Sequence, residues 1–341
     1  MKCKTEELIQ AIKRVQPGLA SKDIIEQSQS VVFKQGKLIT YNDEVAVITK
    51  ADFGFEGAIR GDVLSAVLEK VAAEDLDVSV KGDELIIRSG KSRTGITMSK
   101  EISLPYKEIG KTPKYHPLPK DFSDALRMVQ FSAGTDMTRP VLACIHSDGN
   151  IMESCDRFRA TRVFMKSELA ESFLLPARFV PDLLKYEFSK YGFSKSGGWL
   201  HFKTRDGKTM VACRVYQEAE YPNLDSLFSK KGLTGKFKFP DKTSEILERA
   251  GVFSESEFAQ DEAVTVTINK GQMQVEGKGL HGWHKERSSI KHKGKPIKFS
   301  VHPAFLSDCL KLIDVADVGD NRLLMDSKTM KHAVYLMSVE E

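Results

Sequence analysis

Cys155, followed at once by Asp156, could set a nucleophilic thiol beside a carboxylate, the start of a Cys-dependent hydrolase. Its flanks are an expected strand over 151–155 and the arginines Arg157 and Arg159, with no histidine placed as a general base, so a buried or interface cysteine is the reading adopted. His281 and His284 lie three apart beside Trp283, with His292 further on. Glu286 is the nearby carboxylate and no cysteine joins them, which is too few ligands for zinc, so no metal is expected. No phosphate-cradling or dinucleotide glycine loop occurs, and no cofactor is expected. What remains is a set of cations suited to phosphate contacts: Lys13, Arg14, Lys70, Arg127, Arg178, Lys185, Arg249 and Lys311. Singly, each is an ordinary surface charge; Asp182–Lys185 and Asp308–Lys311 also have the spacing of local ion pairs.

The elements that must carry these cations repeat. Residues 176–186 hold Phe179, Val180, Leu183 and Leu184 at helical spacing, with Lys185 off that face. The same phrase occurs as Val63, Leu64, Val67, Leu68 with Lys70, and as Phe305, Leu306, Cys309, Leu310 with Lys311. Val63, Phe179 and Phe305 are offset by 116 and 126 residues, so the 341-residue chain divides into three domains, 1–114, 115–233 and 234–341. Proline-marked segments at 104–119 and 217–235 are the expected boundaries.

Each domain reads as two copies of a strand–helix–strands unit. Helices are expected over 5–16, 61–71, 122–132, 176–186, 244–253 and 302–313, with Thr5 capping the first and Asp241 or Thr243 the fifth. Strands are expected in meanders between them, among them 141–146, 151–155 and 333–339. The fold class is α+β. If the six helices line one surface, their cations form a continuous track for phosphates, and base-reading side chains are neither needed nor visible.

Hydrophobic residues at 41% and charged residues at 29% suit a globular protein with real cores. A net charge of +4 means that any nucleic-acid surface must be local; the most basic stretch is 281–295. Five scattered cysteines argue for a reducing compartment. No signal-peptide pattern opens the chain and no apolar run reaches a membrane span, so a cytoplasmic protein without membrane contact is expected.

At the level of phrases the chain resembles the bacterial sliding clamp, the beta subunit of DNA polymerase III, from Met1 to Val339. Ile87-Arg88-Ser89-Gly90-Lys91-Ser92-Arg93 stands where the family has Val-Arg-Ser-Gly-Arg-Ser-Arg, and Thr138-Arg139-Pro140-Val141-Leu142 is similar to a second-domain segment. Ser154-Cys155-Asp156-Arg157-Phe158-Arg159-Ala160-Thr161 answers Ala-Thr-Asp-Gly-His-Arg-Leu-Ala, keeping Asp156 and Arg159. Glu220-Tyr221-Pro222 with Leu227 resembles the second linker, and Phe305–Lys311 resembles Tyr-Leu-Leu-Asp-Ala-Leu-Lys. The departures suggest a divergent, phage-encoded member.

The resemblance implies three tandem clamp domains, helices lining a channel and antiparallel sheets outside. Two copies would close head to tail around duplex DNA, without sequence preference or catalysis, and tether a replicative polymerase. Lys22 and the 134–140 loop, with Thr135 and Arg139, are similar to family positions that touch DNA. A pocket for a short peptide of polymerase and clamp loader would comprise Val141, Cys155, Arg157, Phe158, Arg159, Ala160, Leu227, Tyr335 and Met337, with an altered motif preference. The rival reading without a ring is a monomeric, repeat-built DNA-binding module.

Overall fold

One motif, a strand, a helix and a three-stranded antiparallel meander, recurs six times along the chain. The computed structural model describes residues 2–22, 24–110, 113–194, 198–217, 220–254, 256 and 261–337. Met1 and the expected strand end at Val339 lie outside the described residues. The helices are α1 (Thr5–Val15), α2 (Gly61–Leu68), α3 (Phe122–Val129), α4 (Val180–Leu183), α5 (Thr243–Gly251) and α6 (Pro303–Leu310).

The odd-numbered helices share one buried stripe. Leu8, Ala11, Ile12 and Val15 in α1 match Phe122, Ala125, Leu126 and Val129 in α3, and Thr243, Ile246, Leu247 and Ala250 in α5. Spacings of three, four and seven put each set on one face of a 3.6-residue helix, and that face is what holds the helix on its sheet. The expected caps are corrected. Lys4 and Lys242 occupy the cap positions without a side-chain bond. The Thr5 hydroxyl instead donates to the Ala73 carbonyl at 2.6 Å, and that of Thr243 donates to Pro240 at 2.6 Å. Each threonine lies inside the first turn, where its oxygen cannot reach back as a cap acceptor.

The even-numbered helices are shorter than expected. Around α4, strand Phe173–Pro176 runs on into a 3₁₀ turn over Ala177–Phe179, leaving four α-helical residues. Lys185 and Tyr186 then bond i−3 carbonyls, at Asp182 and Leu183, which tightens the end and stops the helix. The same i−3 bonding occurs at Lys70 and Leu312. Lys70, Lys185 and Lys311 therefore sit just past their helices rather than within them.

The chain divides into two compact units, residues 1–120 with 178–217, and residues 121–177 with 218–341. In the first unit a twelve-stranded sheet joins the last strand of the first motif, Val45–Lys50, to the last strand of the fourth, Thr209–Arg214. Val45 pairs Cys213, Ala46 pairs Ala212 and Ile48 pairs Met210, while the Thr49 and Thr209 hydroxyls meet at 2.8 Å. In the second unit an eight-stranded sheet joins the last strand of the third motif, Arg159–Phe164, to that of the sixth, Met330–Tyr335. Arg159 pairs Val334, Ala160 pairs Ala333 and Arg162 pairs Lys331.

The last strands of the second and fifth motifs, Ser92–Ser99 and Gly282–Ser289, have no such join among the described residues. Gly282–Ser289 stands at the end of a four-stranded sheet. Ser92–Ser99 pairs Glu84–Ser89 on one side and touches Gly57–Arg60 on the other only through Met98 and Ser99.

Both segments expected as boundaries contribute apolar anchors. Leu104 and Ile109 pack with Tyr41, Ala46, Trp199 and Ala212 in the first unit, and Leu224 and Phe228 pack with Cys155, Ala160 and Leu324 in the second. The expected strand at 141–146 begins only at Cys144, because 139–143 form bonded turns. Among the described residues, no helix is long and apolar enough to cross a membrane.

Candidate nucleic-acid and partner-binding sites

All eight helix-associated cations are exposed, because the opposite face of each helix is committed to the core. In the first unit Lys13 and Arg14, in the last turn of α1, and Lys185, after α4, line one cavity of about 680 Å³ together with Tyr186, Arg205 and Asp206. The Tyr186 hydroxyl donates to the Arg14 carbonyl, tying the end of α1 to the turn after α4. Burial pushes that phenol far above its ordinary range, so it stays a donor. Arg178 and Lys70 lie outside this cavity. Arg178 donates to Glu44 at 2.6 Å, and Lys22 is exposed in a bend after the first helical segment.

Most of the other cations have acid partners. Lys185 meets Asp182 at 2.6 Å and Lys311 meets Asp308 at 3.1 Å, the local pairs that the spacing allows. Arg127 meets Asp124 at 2.7 Å. Arg249 is held by both oxygens of Glu286, at 2.9 Å each, and this pairing keeps the Glu286 carboxyl below its ordinary pKa. Such exposed pairs are weak and exchange readily for phosphate. Glu286 also meets His284 at 3.2 Å, and no group of three or more candidate metal ligands occurs among the described residues.

In the second unit the expected pocket residues converge on the bend 156–159. Asp156 accepts from the backbone N–H groups of Phe158 and Arg159, at 2.7 and 2.8 Å, which fixes the bend. Arg159 then reaches Asp156 at 3.2 Å and Asp308 at 3.1 Å, and its guanidinium lies 4.3 Å from the centre of the Phe305 ring. Two cavities share this bend. One, of about 130 Å³, is lined by Arg157, Phe158, Arg159, Ala160, Leu227 and Tyr335 among others, and is therefore built largely from predicted residues. Leu227 and Tyr335 are 40% and 48% exposed, large apolar surface left open to a partner.

The second cavity, of about 260 Å³, brings Thr135 and Arg139 of the loop beside Arg157, Phe158 and Phe305. Thr135 and Arg139, expected on DNA, and Arg157, expected in the peptide pocket, thus line one hollow. Cys155 lies beneath, 4% exposed, accepting from the Tyr221 hydroxyl at 3.4 Å. Burial raises its thiol pKa, so the environment opposes the thiolate that a nucleophile needs. Val141 and Met337 line neither cavity; Val141 sits in a turn, and the Met337 N–H donates to Ser300 at 2.9 Å. Asn321, Arg322 and Val334 complete the smaller hollow. No motif marks them, and only strand pairing delivers them there.

No protein-family model matches the chain, and no curated protein matches it. Solved structures do. A DNA polymerase III beta subunit from Thermotoga maritima is 19% identical with a TM-score of 0.82, and a DNA polymerase sliding clamp from Bacillus subtilis is 14% identical with a TM-score of 0.84. A sliding clamp from Bartonella birtlesii, solved bound to griselimycin, is 15% identical with a TM-score of 0.85. Each likeness covers 99% of this chain and 99% of the other. The fold is that of the DNA polymerase sliding clamps.

Proposed function

We propose, from a chain that carries the sliding-clamp fold over its whole length, that this protein is a divergent DNA sliding clamp. Its three domains, 1–114, 115–233 and 234–341, pair with those of a second copy in a ring of six. The ring encircles duplex DNA and tethers a replicative polymerase, and it performs no covalent chemistry of its own.

The observation that carries this reading is the pattern of strand joins. The first motif joins the fourth and the third joins the sixth, each by its last strand. By the same step of three, the fifth motif joins a second motif, and among the described residues the last strands left for that join are Gly282–Ser289 and Ser92–Ser99. Open strand edges seek partners. Two copies placed head to tail satisfy both edges of each chain at once, a closed two-fold arrangement.

Inside such a ring the helix-borne cations meet phosphates. Lys13, Arg14, Lys70, Arg127, Arg178, Lys185, Arg249 and Lys311 serve this role, with Lys22, Thr135 and Arg139 at its margins. Weak, scattered contacts suit sliding, because topology rather than affinity holds the ring on its track. The hollow at Arg157, Phe158, Ala160, Leu227 and Tyr335, extended toward Val141, Cys155, Arg159 and Met337, takes a short peptide from the polymerase and from the loader that opens the ring. Its apolar floor beside Arg157 favours an apolar segment carrying an acidic residue.

A cross-link tests the join. By the internal register Gly95 falls opposite Lys285 of the second copy, and all five native cysteines are buried and free. Gly95→Cys with Lys285→Cys is expected to give a covalent dimer under mild oxidation. A protein that stays a single chain under those conditions would contradict the ring.

A further inference from the structure

The open join carries an arrangement of charge that neither internal join has. Its register follows from counting. The pairs that open the three final hairpins are Trp199 with Arg214, Arg322 with Tyr335, and Glu84 with Thr97. Four residues on from the second member of each come Met210, Lys331 and Arg93, counted toward the hairpin turn. On the facing strands, the residues at the end remote from their own hairpin turn, paired with Lys37, Ile151 and Gln272, are Lys50, Phe164 and Ser289. Two residues before them lie Ile48, Arg162 and Arg287. Ile48 pairs Met210 and Arg162 pairs Lys331 inside the chain, so Arg287 of one copy falls opposite Arg93 of the other.

The surroundings of these pairs differ. Ile48 and Met210 are apolar. Arg162 and Lys331 are both cationic, but Arg162 is held by Glu153 at 2.6 Å and Asp225 at 2.7 Å, and Lys331 pairs across its own hairpin with Asp326. Arg93 pairs across its hairpin with another arginine, Arg88, and Arg287 pairs with Gln274, donating to that amide at 2.9 Å. Beyond Arg88 comes Asp77, 3.5 Å from it, the one acid in the row. Arg93 and Arg287 are exposed, and neither has a carboxylate at ion-pair distance among the described residues.

We infer that the ring's closing seam is a row of three arginines, Arg88, Arg93 and Arg287 of the second copy, which opposes closure by like charge and seats a multivalent inorganic anion that relieves it. This rests on the ring reading above. Like charges directly opposite on neighbouring strands destabilise the pairing. A closed dimer has two identical seams, so the effect counts twice. The seam is thus the weak point of the ring, and its strength follows the anions around it rather than weakening in salt as an ordinary ion-paired interface does.

The test is the dimer dissociation constant of the full chain by sedimentation, as a function of salt and of inorganic tripolyphosphate. Raising NaCl from about 50 mM to about 500 mM cuts the screening length from roughly 14 Å to roughly 4 Å and is expected to tighten the dimer several-fold. Millimolar tripolyphosphate at low salt should do the same. Arg93→Glu sets an acid against Arg287, and is expected to tighten the dimer about tenfold at low salt and to abolish both responses. A dimer that loosens with salt, or that Arg93→Glu weakens, overturns the inference while leaving the ring intact. A chain that is monomeric under every condition, Arg93→Glu included, overturns both.

Discussion

Arg159 lies over the Phe305 ring, its guanidinium carbon 4.3 Å from the ring centre, while its Nη1 donates to Asp308 one turn further along α6. The contact links the bend at 156–159 to α6, and so sets the position of the whole hollow. Only 12% of the Arg159 side chain is exposed. Arg159→Ala removes the cation that Asp156 and Asp308 share, leaving Asp308 its exposed Lys311 partner, and removes the ring contact. A loss of about 2–4 kcal/mol is expected in urea unfolding. Arg159→Lys should recover little, because an ammonium cannot serve two carboxylates and a ring face from one plane.

Partner binding should depend on the exposed apolar residues of that hollow, such as Leu227, and on Met337 beyond its edge where the peptide runs on past Tyr335. Leu227→Asp and Met337→Asp are each expected to weaken binding of a short peptide from the cognate polymerase by at least about thirtyfold, consistent with burying a charge in an apolar contact. Calorimetry of the peptide with each variant checks this. Unchanged binding in Leu227→Asp would remove the hollow as the site, and unchanged binding in Met337→Asp would end it at Tyr335.

Lys13 and Arg14 face the same cavity as Lys185. Replacing both with Ala should reduce the slope of log affinity for duplex DNA against log salt by about 2, close to one unit for each lost phosphate contact. Thermal stability should hardly change, since both side chains are exposed. An unaltered slope would place these cations off the DNA track.

His332 gives the fold a pH dependence. Its ring is fully buried, Nδ1 lies 2.7 Å from the Thr161 hydroxyl, and burial, with Arg159 nearby, pushes its pKa down to about 3. The unfolded chain takes up a proton near pH 6.5 and the folded chain does not, so this group's stability contribution is full above pH 6.5. It falls as pH drops toward about 3, by at most about 1.4 kcal/mol per pH unit. His332→Gln is expected to be less stable at pH 7 but flatter in this window. Unfolding midpoints measured from pH 7 to pH 4 in both proteins decide it, and parallel curves would contradict the assignment.

Much of this was legible in the sequence where one physical signal dominated. All six helices were read correctly as elements, because stripes such as Leu8, Ala11, Ile12 and Val15 fit only helical spacing. The extent of α4 was not, since the span 176–186 also holds a strand end and a 3₁₀ turn that carry the same apolar spacing. Phe173–Pro176 is wholly buried and too short to alternate, so it offers no strand period. The fifth motif's last strand, with exposed Trp283, Lys285 and Arg287, has no apolar alternation to mark it as a strand. Six of the nine expected pocket residues share one hollow because 156–160 is continuous and strand pairing brings up Tyr335. Pairing across 171 residues, as between Thr161 and His332, leaves no mark in a single sequence.

Retention on DNA tests the encircling ring most directly. The protein is assembled on a circular duplex with its loader, freed of unbound protein at high salt, and the circle is then cut once. A clamp stays on the intact circle and is lost through the free ends within the time of sliding. Equal retention on circular and linear DNA, or loss from both in salt, would contradict enclosure and leave an ordinary electrostatic binder in its place.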